Sequence, residues 1–321
     1  MRSRLIAGVT CLALVSSACG IPYRKDTDDL TKVAASDSQA RRIIAEFNLT
    51  RQEADTLLDG SLLPDIESGS LLDIDQGAYF VAARVAGHTA AARLRLEPPD
   101  EVLSPRFAGY PMWFVAVSRD AGGDTQRVVV FERQDSVSPW LMTMAPEISG
   151  DTELPAMELD RGDAVVTAPP DSARGVAMSG SEALSNYAAA LTGEDAPEND
   201  LFVDDDFLRR TREFQRSQRS LPFADFTQSW SAEPASLAMR VAGGGLLVFG
   251  TLERADAYSV HPSSYIDWGS NADAKAYLPG RALSAARLDY RHQVLLFVPP
   301  RGEGEAQLIG QYGGVVDGSG S

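Results

Sequence analysis

Two cysteines, Cys11 and Cys19, are all this chain of 321 residues offers for covalent cross-linking, and both lie in its first twenty residues. Whatever fold forms downstream must be held by packing alone. That demands domains large enough to bury a core. An apolar share of 44% can supply one. A chain of this length is expected to divide into two domains.

The opening residues explain where the cysteines belong. Arg2 and Arg4 precede an apolar run from Leu5 to Val15, and Ser16, Ser17 and Ala18 follow it. A charged start, a short apolar core and small residues at its end describe a secretory signal over residues 1–18. A helix of eleven residues rises too little to cross a hydrocarbon layer of about 30 Å. Cys11 leaves with that segment, and Cys19 becomes the first mature residue. Leu14 to Gly20 resembles the bacterial lipobox, whose cysteine is diacylated and exposed by cleavage. Ser16 stands where that motif carries a large aliphatic, and ordinary cleavage after Ala18 also fits the small-residue pattern. Lipidation accounts for an otherwise unpaired thiol in an exported protein, and two acyl chains make a stable anchor. The expected address is the outer face of the cell membrane, with plain secretion as the alternative. Residues 19–35 are polar, with Asp26, Asp28 and Asp29, and read as a tether.

Charge narrows the partners. The formal net charge is −16 and becomes more negative once Arg2 and Arg4 are removed. Such a surface repels phosphate backbones, so nucleic acid is not an expected partner. Membrane attachment falls to the lipid at Cys19, without help from a polybasic patch. An envelope protein or a small apolar ligand is the expected partner beyond the membrane itself.

From Ser36 onward the pattern is helical, then β. Ser36 with Gln39, and Thr50 with Glu53, have capping-box spacing. They predict one helix carrying Ile43, Ile44 and Phe47 and a second carrying Leu57 and Leu58, ended by Gly60. Residues 70–83 suit either a helix from Ser70, weakened by Gly77, or a strand. Ala91–Leu96, Met112–Val117, Arg127–Glu132 and Trp140–Met144 read as strands, the last three as an antiparallel meander. The N-terminal α+β domain is set at 36–149. Residues 150–176, rich in Pro, Gly and acids, read as a linker with one short strand near 161–167. The C-terminal α+β domain, 177–321, repeats the order. Ser181 opens one helix over Leu184, Tyr187 and Leu191, and Asp204–Arg216 forms another. Strands follow at Ala224–Ser231, Leu237–Val241 and Leu246–Leu252, with the Gly243–Gly245 turn between the last two. A hairpin pairs Gln293–Val298 with Ala306–Ile309, and the tail from Gly313 is expected to fray. The fold class is therefore α+β, helices then an antiparallel sheet in each half, in the element order of the cone-like NTF2 superfamily.

Tyr110-Pro111-Met112-Trp113-Phe114, Val129 to Arg133 and Pro139-Trp140-Leu141 resemble strands of a set of uncharacterised actinobacterial lipoproteins. Gly243 to Phe249 and Leu296 to Pro300 are similar to theirs as well. The resemblance implies export, a lipid anchor and two domains, and it carries over no catalytic residue.

No catalytic, metal or cofactor motif stands out. The three histidines, His88, His261 and His292, lie in no metal-ligand spacing and read as solvated or packed. With Cys19 lipidated, no thiol remains for catalysis. No Gly-x-Ser-x-Gly elbow is present. The acids from Glu194 to Asp206 offer oxygen ligands for Ca²⁺, but the EF-hand order is missing and Asp204–Asp206 suit a helix start. Tyr110, Trp113, Phe114 and Trp140 fall in or beside one meander. They can fill the core or line a pocket between helix and sheet. Two functional classes follow. One is a non-enzymatic envelope lipoprotein that binds a partner or ligand. The other is an extracytoplasmic hydrolase using acidic residues, which requires two close carboxylates in a cleft.

Overall fold

The computed structural model describes residues 31–85, 94–148, 152–235 and 237–321. Cys19, His88 and the first half of the expected strand at Ala91–Leu96 lie outside them. Helix α1 (Asp37–Leu57) opens on the expected capping box, Ser36 accepting from the Gln39 N–H and the Gln39 side chain accepting from the Ser36 N–H at 2.9 Å. The break expected at Thr50 does not occur. Residues 46–55 contain no Gly or Pro, and Arg51 reaches Asp55 one turn on at 3.1 Å, so the helix continues to Leu57. The ambiguous stretch near 70–83 is helical, within α2 (Gly69–Arg84). A Cβ on Gly77 would stand 2.0 Å from the Val315 carbonyl oxygen. The residue that weakens the helix locally is the one that lets it approach the sheet.

Thirteen strands are present among the described residues. Two short ones, β1 (Lys32–Val33) and β3 (Arg106–Phe107), pair as a separate ribbon. The first half adds β2 (Glu101–Leu103), β4 (Met112–Arg119), β5 (Gln126–Arg133), β6 (Leu141–Met144) and β7 (Glu147–Ile148). Strands β4, β5 and β6 form the expected antiparallel meander. After β8 (Thr167–Ala168) come α3 (Gly180–Thr192) and α4 (Asp206–Arg219). Ser179 caps α3, with Glu182 completing the box, in place of the expected Ser181. Asp205 caps α4, accepting from Phe207 and Leu208 N–H at 2.8 and 2.9 Å. Then follow β9 (Ala224–Ala232), β10 (Leu237–Arg240), β11 (Leu246–Val260), the unforeseen α5 (Ala272–Tyr277), β12 (Ala285–Val298) and β13 (Gln307–Gly320).

The glycine-rich tail is not frayed. It is the second half of β13, paired with β12 from Gly313 opposite His292 to Gly320 opposite Ala286. A Cβ on Gly313 would stand 2.3 Å from His292 Nδ1, so bare backbone is what fits beside that ring.

Strand β7 pairs with β5 and with β13. Strands of both halves thus join one eleven-stranded sheet, along the path β2-β4-β5-β7-β13-β12-β11-β10-β8, with β6 on β5 and β9 on β11. Residues Thr31–Ser321 cluster as one unit. Helices α1 and α2 cover Phe114, Ala116, Val129 and Phe131. Helices α3 and α4 cover Leu246, Val248, Val294 and Leu296. The opposite faces of these strands, Val115, Val117, Val128 and Val130 from one half and Leu247, Phe249 and Leu295 from the other, share a further core. Strands buried on both faces need apolar residues at every position, which is why β4, β5 and β11 carry unbroken apolar runs. Within residues 150–176, Met157 and Val165 are buried in that shared core, bridging Val241 and Pro105. No helix among the described residues is long and apolar enough to cross a membrane.

Candidate functional site: an aromatic pocket beside the first helix

One flank of α1 carries Gln39, Arg42, Ile43, Glu46, Phe47 and Thr50, spaced as neighbours on a helix surface. It faces β1, the Asp65–Ile66 segment, the start of β4 and the loop that follows β5. Between them lies a pocket of about 560 Å³, a volume typical of small-molecule sites. Phe47, Ile66 and Met112 are buried at its floor, and Ile43 and Trp140 form half-buried walls. Lys32, Arg42, Glu46, Asp65 and Tyr110 are exposed around the rim. The Lys32 ammonium donates to the Tyr110 hydroxyl at 3.4 Å and lies 5.1 Å from the centre of that ring. Arg133 shapes the loop by donating to the Ser138 carbonyl at 2.8 Å and to the Ser136 carbonyl.

The four aromatics singled out from the sequence separate by strand alternation. Tyr110 and Trp140 line the pocket. Phe114 lies fully buried behind it, stacked on Phe131 at 5.2 Å and edge-on to Trp140 at 5.2 Å. Trp113, the next residue along β4, faces the other side of the sheet and packs edge-on against Phe107 at 5.7 Å. Sequence reasoning missed the basic residues of the pocket. Arg42 was legible only as the neighbour of Ile43 on the helix, and nothing in the pattern ties Lys32 and Arg133 to one site.

Two close carboxylates do exist, but in the core. Arg51 donates to Glu67 at 2.5 Å and to Asp75, both with fully buried side chains. Asp75 also accepts from the Tyr312 hydroxyl at 2.6 Å, and Asp55 accepts from Tyr79. Burial, reinforced by the neighbouring Asp75 charge, pushes Glu67 up to about 8. Its Oε2 has no hydrogen-bond partner among the described residues. Neither Glu67 nor Asp75 lines the pockets described here. The cluster ties α1, α2 and β13 together.

The second half has its own buried polar layer. Gln215 of α4 donates to Gln228 of β9, Gln228 to Asp256 of the paired strand β11, and Arg254 to Asp256 two residues along the same strand. His292 lies beside this layer among Phe207, Trp230 and Tyr290, with ring centres 5.4, 5.0 and 6.3 Å away. Burial holds it down at about 3, so it is neutral at physiological pH. His261 sits at the surface, 3.2 Å from Asp225. The acidic stretch before α4 meets arginines: Asp204 and Asp206 pair with Arg209, and Asp204 pairs with Arg212. A wide depression of about 730 Å³ along these arginines is lined by charged side chains alone and lacks an apolar floor.

Among the described residues, helices cover an eleven-stranded antiparallel sheet, and a pocket lined by Tyr110 and Trp140 opens beside α1. The chain belongs to the family described as Domain of unknown function (DUF8094), which it matches over residues 31–320. It is 24% identical to a protein named "Uncharacterized lipoprotein SCO2278" from Streptomyces coelicolor, over 98% of this chain and 94% of that protein. It is likewise 24% identical to an "Uncharacterized lipoprotein" from Streptomyces avermitilis, over 93% of this chain and 89% of that one. No solved structure matches.

Proposed function

We propose that this protein is a lipoprotein held at the outer face of the cell membrane through Cys19, and that it binds a small ligand in the pocket beside α1 without catalysing a reaction. The observation that carries the binding reading is the pocket itself, with a floor of Phe47, Ile66 and Met112, a wall of Trp140 and a polar rim. Apolar lining with a few polar groups is the usual make-up of a ligand site. The names of the two Streptomyces relatives support the anchor, as does the signal-like start with its small residues before Cys19. Lys32, on the rim, follows Cys19 by thirteen residues. Even a fully extended tether keeps the rim within roughly 45 Å of the lipid. The fold is read as two helix-then-sheet halves in the NTF2-like element order, joined edge to edge through β7 and β13, with α2 of the first half packed against β13 of the second. The hydrolase alternative has less support, since the close carboxylates Glu67 and Asp75 are buried away from the pocket.

Calorimetric titration of the full chain, held in nanodiscs of neutral phosphatidylcholine, with 2-naphthol tests the pocket. The expected result is a saturable one-site isotherm that Trp140→Ala abolishes. A flat trace, or binding untouched by Trp140→Ala, contradicts the assignment.

A further inference from the structure

Building on the proposed pocket, we infer that its ligand carries an anionic group beside an apolar or aromatic body. Three cations stand around the opening, Lys32, Arg42 and Arg133, against two carboxylates, Glu46 and Asp65. On a chain with net charge −16 a local excess of positive charge runs against the average. Among the described residues none of the three forms a salt bridge. Lys32 meets the Tyr110 hydroxyl, and Arg133 meets the carbonyls of Ser136 and Ser138. Carbonyls and a hydroxyl satisfy N–H donors without forming an ion pair, although Arg133 also lies near enough to the exposed Asp135 carboxylate to favour its charged form. Some surface arginines elsewhere are paired, as Arg106 is with Asp160, Arg209 with Asp204 and Asp206, and Arg287 with Asp289, while others such as Arg41 and Arg210 form no salt bridge among the described residues. The apolar floor lies directly inside this ring. Entry of an apolar body into the floor therefore brings its head group to the cations, where an anion gains charge-assisted hydrogen bonds. The chemical class is a small amphiphile with a single phosphate, sulfonate or carboxylate on an aromatic or aliphatic body.

Three probes of one shape separate the possibilities: naphthyl phosphate, 2-naphthol and naphthylmethylammonium, titrated calorimetrically into the full chain in neutral nanodiscs. The inference expects naphthyl phosphate to bind at least about 10-fold tighter than 2-naphthol, the size of one charge-assisted contact. Arg42→Gln and Lys32→Gln, both at exposed positions, should shrink that preference by weakening phosphate binding more than 2-naphthol binding, and Arg42→Lys should restore part of it. Equal affinities for phosphate and naphthol, tighter binding of the ammonium, or a phosphate preference that survives the double Lys32→Gln/Arg42→Gln variant overturns the inference while the pocket stands. Failure of all three probes to bind overturns both.

Discussion

Replacing Gly77 by alanine would set a methyl group 2.0 Å from the Val315 carbonyl oxygen, in the middle of a helix that the sheet holds on one side. Helix propensity favours alanine by about 1 kcal/mol, whereas overpacking costs about 1–3 kcal/mol. At so short a distance, against backbone, the steric term wins. Gly77→Ala should lose about 2 kcal/mol in urea denaturation, and a stabilised variant would show that α2 does not bear on β13 there. Glu67 sets a pH dependence whose sign can be worked out. Its folded value, about 8, lies above its ordinary value near 4.5, so the folded state holds an extra proton between the two. Its contribution is fully present below pH 4.5 and is lost as pH rises through 8. Buried His292 acts in the opposite direction below its ordinary value of 6.5, so the clean window is pH 6.5 to 8. There, stability should fall with rising pH by up to about 1.4 kcal/mol per unit, and Glu67→Gln should flatten the slope. An unchanged slope in that variant would detach Glu67 from the effect.

At the scale of elements, local signals served where one short-range rule decides. The Ser36–Gln39 box, the acidic helix start within Asp204–Asp206, the Gly243–Gly245 turn and the β4–β5–β6 meander were all readable, because capping, turn and alternation patterns are written within a few residues. Where two such rules competed the weaker lost. Thr50 has cap spacing, yet no breaker interrupts the helix around it. The outer halves of β11 and β12 were hidden by Glu253, Arg254, Asp289 and Arg291. These charged side chains face solvent or a buried polar layer, so the apolar pattern stops where the strand does not. The tail was hidden by its glycines, which propensity reads as loop and which here give β13 room beside α2 and His292. Deleting residues 314–321 tests that. Removal of a paired strand half should lower the melting temperature sharply, whereas a frayed tail could be cut without effect. Of the pocket, only Tyr110 and Trp140 were legible. Lys32, Arg42 and Arg133 are brought together by tertiary packing that no local pattern encodes.

At the scale of the whole molecule, one sheet carries both halves, and its doubly buried strands do the work a disulfide would do elsewhere. The aromatic pocket lies where the tether residues join the fold, which sets the proposed binding site close to the proposed anchor. That arrangement makes the anchor the claim on which the account turns. Intact-mass analysis of the protein extracted from membranes, beside fractionation of Cys19→Ser, tests it most directly. The account predicts a mature chain beginning at Cys19 with an added diacylglyceryl mass, and release of the Cys19→Ser protein from the membrane fraction. A mature chain with no added acyl mass, or a Cys19→Ser protein that stays with the membrane, would contradict it.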